Sequence, residues 1–254
     1  MKILISPAKS INENVEVPNL NFSTLQFQKE AKKLVSKLKK LKAKDIMSLM
    51  HVSKDIAELN VNRFKNWHIT EEPTEKVKPA GFLFTGEVYR GLDFTSLSEE
   101  NMLKAQDKLR ILSGMYGLLK PLDLMYPYRL EMGTSFQMSD EVKNLYQFWD
   151  TKLTKQLLKE TDKNEVIVNL ASAEYAKAIQ WKNLKRTFVQ PNFKEFKNGE
   201  YKMVMVYAKQ ERGAMARYLI ENELNDIQDL KAYNLNGYSF DEKQSTETDW
   251  IFVR

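Results

Sequence analysis

Three short apolar runs that end in small or hydroxyl-bearing residues constrain this chain more than any other feature. They are Ile3-Leu4-Ile5-Ser6, Ile111-Leu112-Ser113-Gly114 and Val166-Ile167-Val168-Asn169, the last followed closely by Ser172. Apolar runs of this length, without polar alternation, read as short buried strands. In open α/β sheets ligands bind beyond the carboxyl ends of the strands. Ser6, Ser113 and Asn169 therefore mark one candidate pocket. Serine and glycine at strand ends are also ordinary turn and capping chemistry, and the residues alone leave both readings open.

Between these runs the periodicity is helical. Apolar residues at Leu25, Phe27, Ala31, Leu34, Val35, Leu38 and Leu41 predict a helix over 25–41 with lysines on its outer face. Further helices are predicted over 45–50, 53–67, 97–108 (capped by Ser98), 140–159 and 208–222. Residues 68–80, with Pro73 and Pro79, read as a loop, and Ser172 reads as the cap of a helix that follows it. Segments 187–196 and 201–207 flank Asn198-Gly199, a strong short hairpin signal, and 250–253 reads as a last strand. Strands alternating with helices early and a hairpin late predict a mixed α/β (α+β) fold. No linker, repeat or low-complexity tract divides the chain, so one compact domain over 1–254 is expected, with a basic helical segment at 25–67.

The basic charge is concentrated. The chain has 39 Lys and Arg against 34 Asp and Glu, yet residues 29–65 hold 11 basic and 4 acidic side chains, leaving the remainder slightly acidic. A localised excess of this kind fits a polyanion-binding face, and a lysine-covered solvated helix face fits it as well. Only 8 of the basic residues are arginine. The guanidinium fork reads phosphate and carboxylate bidentately, so the arginines are the more selective signal.

Within the basic segment, residues 45–64 read as two short helices joined tightly at His51-Val52-Ser53. This resembles a helix-hairpin-helix near residues 45–65, in which hairpin amides and the next helix's N-terminus hold a DNA phosphate. Lys54 would stand at that terminus and Arg63 farther along; His51 and Ser53 occupy positions usually taken by glycines. An ordinary helical hairpin is the alternative. Elsewhere, Lys9 and Lys120 follow strand ends, Arg129 lies in the dense loop 127–133 with Glu131, and Lys209, Arg212 and Arg217 lie on one predicted helix. If the chain is an enzyme, Glu131, Glu174 and Tyr175 are its candidate acid–base groups. Phosphate-binding glycine loops, the serine nucleophile elbow and the His-Glu zinc helix are all missing from the sequence. With no cysteine, disulfides, cysteine-ligated zinc and thiol chemistry are excluded. With only His51 and His68, no metal site and no cofactor are expected.

Several longer segments, in order, carry a family resemblance. They are Ile5-Ser6-Pro7-Ala8-Lys9-Ser10, Phe84-Thr85-Gly86-Glu87-Val88-Tyr89-Arg90-Gly91-Leu92, Leu112-Ser113-Gly114-Met115-Tyr116-Gly117-Leu118-Leu119-Lys120-Pro121-Leu122-Asp123, residues 127–133, Asn169-Leu170-Ala171-Ser172 and Arg212-Gly213-Ala214-Met215-Ala216-Arg217-Tyr218. The whole chain thereby resembles the YaaA family of bacterial peroxide stress resistance proteins. The resemblance implies a cytoplasmic protein that limits hydrogen peroxide damage and is linked to low free iron. It also implies DNA binding through a helix-hairpin-helix element and a positively charged cleft on an unusual α/β fold. The expected partner is duplex or structured DNA held mainly through phosphates with low sequence specificity, with a small anionic ligand as a further partner and no membrane. The alternative is an enzyme acting on a nucleotide or nucleic acid beyond the strand ends. Lacking thiols, the chain cannot sense peroxide through cysteine.

Overall fold

A computed structural model describes residues 1–224 and 226–254. The N-terminal half holds β1 (Lys2–Ile5), β2 (Ser10–Ile11), α1 (Gln28–Leu38), α2 (Ala43–Met50), α3 (Lys54–Asn66) and β3 (Lys78–Pro79). Then come α4 (Ala80–Leu83), β4 (Phe84–Thr85), α5 (Glu87–Leu92), α6 (Glu99–Lys108), β5 (Leu109–Ser113), β6 (Gly117–Leu119) and β7 (Leu124–Met125). The C-terminal half holds α7 (Leu145–Trp149), α8 (Lys152–Glu160), β8 (Ile167–Asn169), α9 (Ala173–Ala176) and α10 (Trp181–Leu184). It ends in β9 (Phe188–Lys197), β10 (Glu200–Lys202), α11 (Met205–Glu221), β11 (Ser239–Phe240) and β12 (Asp249–Val253).

The three apolar runs become neighbours. The main sheet has the order β11-β12-β9-β8-β1-β5-β6, with β10 hydrogen-bonded to β9. Strands β12, β9, β8, β1 and β5 are mutually parallel, whereas β6, β10 and β11 run antiparallel to their partners. The sheet is mixed, in agreement with the sequence pattern. Strand β1 is buried along its whole length, as a central parallel strand must be. It lies between β5 on one side and β8 on the other, so connections diverge around its carboxyl end, the topological position where α/β sheets open a crevice.

Several boundaries differ from the sequence reading. The apolar stripe of residues 25–41 is correct in Ala31, Leu34, Val35 and Leu38, but α1 spans only Gln28–Leu38. The single helix expected over 140–159 is two, because Asp150 takes a positive φ of 42° and ends α7. Residues 78–80 do not stay in a loop: Lys78–Pro79 pairs with Leu124–Met125 and α4 starts at Ala80. The hairpin turn at Asn198-Gly199 has φ of 55° and 84°, the two left-handed positions that suit a tight two-residue turn. Its second strand stops at Lys202, and the chain enters α11 at Met205.

Helix α11 lies across β1 and β9 and against α5 and α6. Its crossing with α5 is made backbone to backbone. A Cβ on Gly91 would lie 1.9 Å from the Gln210 carbonyl oxygen, and one on Gly213 would lie 1.8 Å from the Val88 carbonyl oxygen. No methyl group fits at either position without moving a helix. Arg217 locks the same crossing, its Nη1 donating to the Asp93 carbonyl at 2.9 Å and to Ser96 Oγ at 2.8 Å. In an isolated helix Gly→Ala stabilises by about 1 kcal/mol; here the sign reverses. Gly213→Ala is expected to destabilise by about 3 kcal/mol or more, as overpacking against backbone does, measured by denaturant unfolding, whereas Ala214→Gly on the same helix costs only about 1 kcal/mol.

Candidate functional site

At the carboxyl ends of β1 and β8 and the end of the β5–β7 segment lies a cavity of about 270 Å3. Four stretches wall it: residues 6–10 after β1, 85–88 leading into α5, 128–131, and Ser172, Glu174 and Tyr175 around α9. Lys209 and Arg212 close it from α11. The α5–α11 crossing sets where these last two stand, since both lie within four residues of Gly213. The loop 128–131 is seated by a second close approach, for a Cβ on Gly114 would sit 2.3 Å from the Leu130 carbonyl oxygen.

Hydroxyl groups tie the strand ends together. Ser6 Oγ donates to Ser172 Oγ at 3.2 Å and accepts the Ser172 N–H at 2.9 Å. Ser172 occupies the N-cap position of α9, as the sequence suggested, but its side chain makes no capping hydrogen bond and is turned to Ser6 instead. Ser113 is fully buried, its hydroxyl 2.5 Å from that of Tyr128 and accepting the Tyr116 N–H at 2.9 Å. Asn169 is also buried, donating to Gln190 at 2.7 Å and accepting from Ala171 N. Of the three strand-end residues, Ser6 lines the cavity, while Ser113 and Asn169 hold the framework behind it.

The sequence-selected cations fall into two groups. Lys9, Arg129, Lys209 and Arg212 come together in the cavity. Lys54, Arg63, Lys120 and Arg217 do not line it. Lys54 is exposed and 3.7 Å from Glu58. Arg63 grips Glu13 through Nε at 3.2 Å and Nη2 at 2.6 Å; burial works against the Glu13 carboxylate, yet Arg63 and Lys76 hold its pKa below the ordinary value. Lys120 contributes its backbone N–H to Asp123 at 2.8 Å. Arg217 is used up at the helix crossing and on Glu221 at 2.8 Å. In the α2–α3 hairpin His51 has a left-handed φ of 51°, and the His51 and Val52 amides both point back to the Met47 carbonyl. Ser53 caps α3 by accepting from Ile56 N at 3.5 Å.

Inside the cavity the charges are unequally satisfied. Glu131 is bridged, accepting from Arg129 Nη2 at 3.2 Å and facing Lys9 Nζ at 2.9 Å. Glu174 Oε1 accepts the Gly133 N–H at 2.8 Å. Glu87, which the sequence reading did not single out, lies 3.2 Å from Arg90. Tyr128, likewise not selected although it stands beside Arg129, and Tyr175 form buried walls; burial raises both phenol pKa values, and for Tyr175 the neighbouring Tyr128, Glu174 and Glu131 add to the rise. Both phenols, neutral at physiological pH even at their ordinary value, are held further from ionisation.

Arg212 is different. It is only 8% exposed, and among the described residues it forms no ion pair, while its Nε has no hydrogen-bond partner. Burial pulls its pKa below the ordinary arginine value. Its neighbour Glu211 points elsewhere, accepting from Tyr233 and from Asn236 Nδ2. The contrast is Arg110, more deeply buried but held by Glu160 at 2.6 Å and by three backbone carbonyls. A buried charge without a partner is costly, so Arg212 with exposed Lys209 beside it offers an incoming anion a strong, dehydrated contact. Among the described residues no cluster of three His, Asp or Glu is placed to hold a metal ion, and no helix is long and apolar enough to cross a membrane.

Arg212→Met keeps the volume and removes the unpaired charge. It is expected to raise the melting midpoint by roughly 2–8 °C, on the order of 1–2 kcal/mol, measured by calorimetry in buffer free of multivalent anions. A lowered midpoint would show that Arg212 is already compensated.

Comparison with known proteins matches residues 1–244 to the family described as peroxide stress protein YaaA. A UPF0246 protein of Flavobacterium psychrophilum is 46% identical over 254 residues, covering all of both chains. One from a Marinomonas species is 46% identical over 255 residues, covering all of this chain and 97% of its own. One from Aliivibrio fischeri is 45% identical over 256 residues, covering all of this chain and 98% of its own.

Proposed function

The chain belongs to the peroxide stress protein YaaA family, and from that premise we propose that it acts in the oxidative-stress response as a cytoplasmic DNA-binding protein whose cavity grips a phosphate. The observation that carries this reading is Arg212, a buried guanidinium without an anion of its own. Lys209 and Arg129, with an Nε also lacking a partner, extend the same anion-accepting surface. Contacts of this kind read phosphates and not base edges, so affinity is salt-dependent and sequence preference low. The basic segment 29–65 contributes longer-range attraction. The α2–α3 hairpin supplies a second contact through Lys54, whose side chain is 73% exposed; Arg63 contributes less, being committed to Glu13. Protection of bound DNA limits peroxide damage, and the link to low free iron is then indirect.

A second reading, an enzyme acting on a nucleotide, is favoured by one feature: Glu131, Glu174 and Tyr175 share the cavity with the cations. Tyr175, whose ionisation burial disfavours further, would donate a hydrogen bond, leaving the carboxylates as acid–base groups.

Fluorescence anisotropy of a labelled duplex across a salt series tests the proposal. The logarithm of affinity should fall steeply with the logarithm of salt. The pair Lys209→Ala, Arg212→Met should flatten that slope by about 1.8, two phosphate contacts at about 0.9 each, and Lys54→Ala by no more than half as much. An unchanged slope in the paired variant would remove the cavity from DNA binding. No binding by the unmodified protein at low salt would leave the enzyme reading.

A further inference from the structure

The cavity asks for more than a phosphate. It holds an acceptor beside its cations: among the described residues Glu174 has only one oxygen engaged by a protein donor, the Gly133 amide at 2.8 Å. A free carboxylate oxygen repels a bare phosphate but welcomes a hydroxyl or amide-type N–H on the same ligand. Beside the hydroxyl and charged groups the lining includes an apolar and aromatic part, with Pro7, Ala8, Val88, Leu130 and the ring of Tyr128, surface that nothing in a phosphate group would cover. A ligand that satisfies all three carries an anionic group, hydrogen-bond donors some distance away, and a compact apolar-faced body between or beyond them.

Size narrows the choice. At about 270 Å3 the cavity lies just below the ~300–1,000 Å3 usual for small-molecule sites, so it admits one small unit and not a stretch of strand. A duplex carries its phosphates on the outside of a cylinder whose major groove alone is about 12 Å wide. It can place a phosphate at the rim, but it can fill the interior only by releasing a nucleotide from the stack, as enzymes that act on bases within duplexes do.

We infer that the cavity accommodates a single nucleotide unit, with its phosphate on Arg212 and Lys209 and a sugar hydroxyl or base N–H donating to Glu174. This rests on the reading of the cavity as an anion site and specifies what fills it. The unit has two sources, a nucleotide swung out of a DNA strand or a free nucleotide, and both present the same chemistry to the site.

Glu174→Gln is the informative variant, because glutamine keeps an acceptor for the Gly133 amide while losing the charge. Inorganic phosphate, a deoxynucleoside and a deoxynucleoside monophosphate are titrated into the unmodified protein and into the variant, with affinities read from the ligand-dependent melting midpoint. The monophosphate should bind at least tenfold more tightly than phosphate or the nucleoside. Glu174→Gln should reduce monophosphate affinity about tenfold, the size of one hydrogen bond to a charged group, without reducing that of phosphate. Equal binding of phosphate and monophosphate, or an equal effect of the variant on both, overturns the inference while leaving the anion site standing. Failure of phosphate and monophosphate alike overturns both. The source is separated by a duplex carrying 2-aminopurine. A fluorescence rise reversed by excess monophosphate assigns the unit to the strand; monophosphate binding without that rise assigns it to the free nucleotide.

Discussion

The close crossing of α5 and α11 is the contact on which the cavity depends. Gly91 and Gly213 let the two helix backbones approach until a single methyl group would overlap a carbonyl oxygen. That approach sets the height of α11 over the carboxyl end of β1 and therefore where Lys209 and Arg212 stand. It also fixes the entry to α5, which supplies the 85–88 wall of the cavity. Arg217 fastens the same junction from the far side, through carbonyls at the end of α5. A helix pair separated by ordinary side chains sits roughly 8–10 Å apart.

On this scaffold two arginines, Arg186 and Arg212, meet no carboxylate among the described residues, but Arg186 donates to Thr161 and to the Lys185 carbonyl. Arg90 pairs with Glu87. Arg63, Arg110, Arg217 and Arg254 each meet a carboxylate. Arg129 shares Glu131 with Lys9. Arg212, buried on the inner side of α11, meets neither a carboxylate nor any other acceptor among the described residues. Burying an unpaired guanidinium opposes folding, and functional sites are where folded proteins tolerate such opposition. The anion that relieves it meets a guanidinium already largely withdrawn from water by folding, where a charge interaction is stronger than in bulk solvent.

How far this was legible in the sequence follows from the range of the interactions. Strands β1, β5 and β8, and with them the mixed sheet, are written in local apolar runs, and the pocket beyond their ends follows from the rule for open α/β sheets. Ser6 was visible for the same reason. Ser113 and Asn169 looked identical to it but point into the framework, since their partners Tyr128 and Gln190 are contributed by other segments. The arginines show the limit most clearly. Arg63 and Arg212 were equivalent as candidate phosphate forks; what separates them is Glu13, 50 residues away from Arg63, and the lack of any counterpart opposite Arg212. The helix over 140–159 had the right periodicity throughout, and its break at Asp150 comes from a left-handed backbone that periodicity does not register. Tyr128 and Glu87 had only one signal, their place in the dense motifs around Arg129 and Gly86.

Nuclear magnetic resonance of the arginine Nε–H groups during titration with a short oligonucleotide tests directly whether Arg212 takes the phosphate. The Arg212 Nε–H signal should shift and saturate with binding while that of Arg63, already bonded to Glu13, stays in place. A saturating titration in which Arg63 moves and Arg212 does not would contradict this and return the nucleic-acid contact to the α2–α3 hairpin.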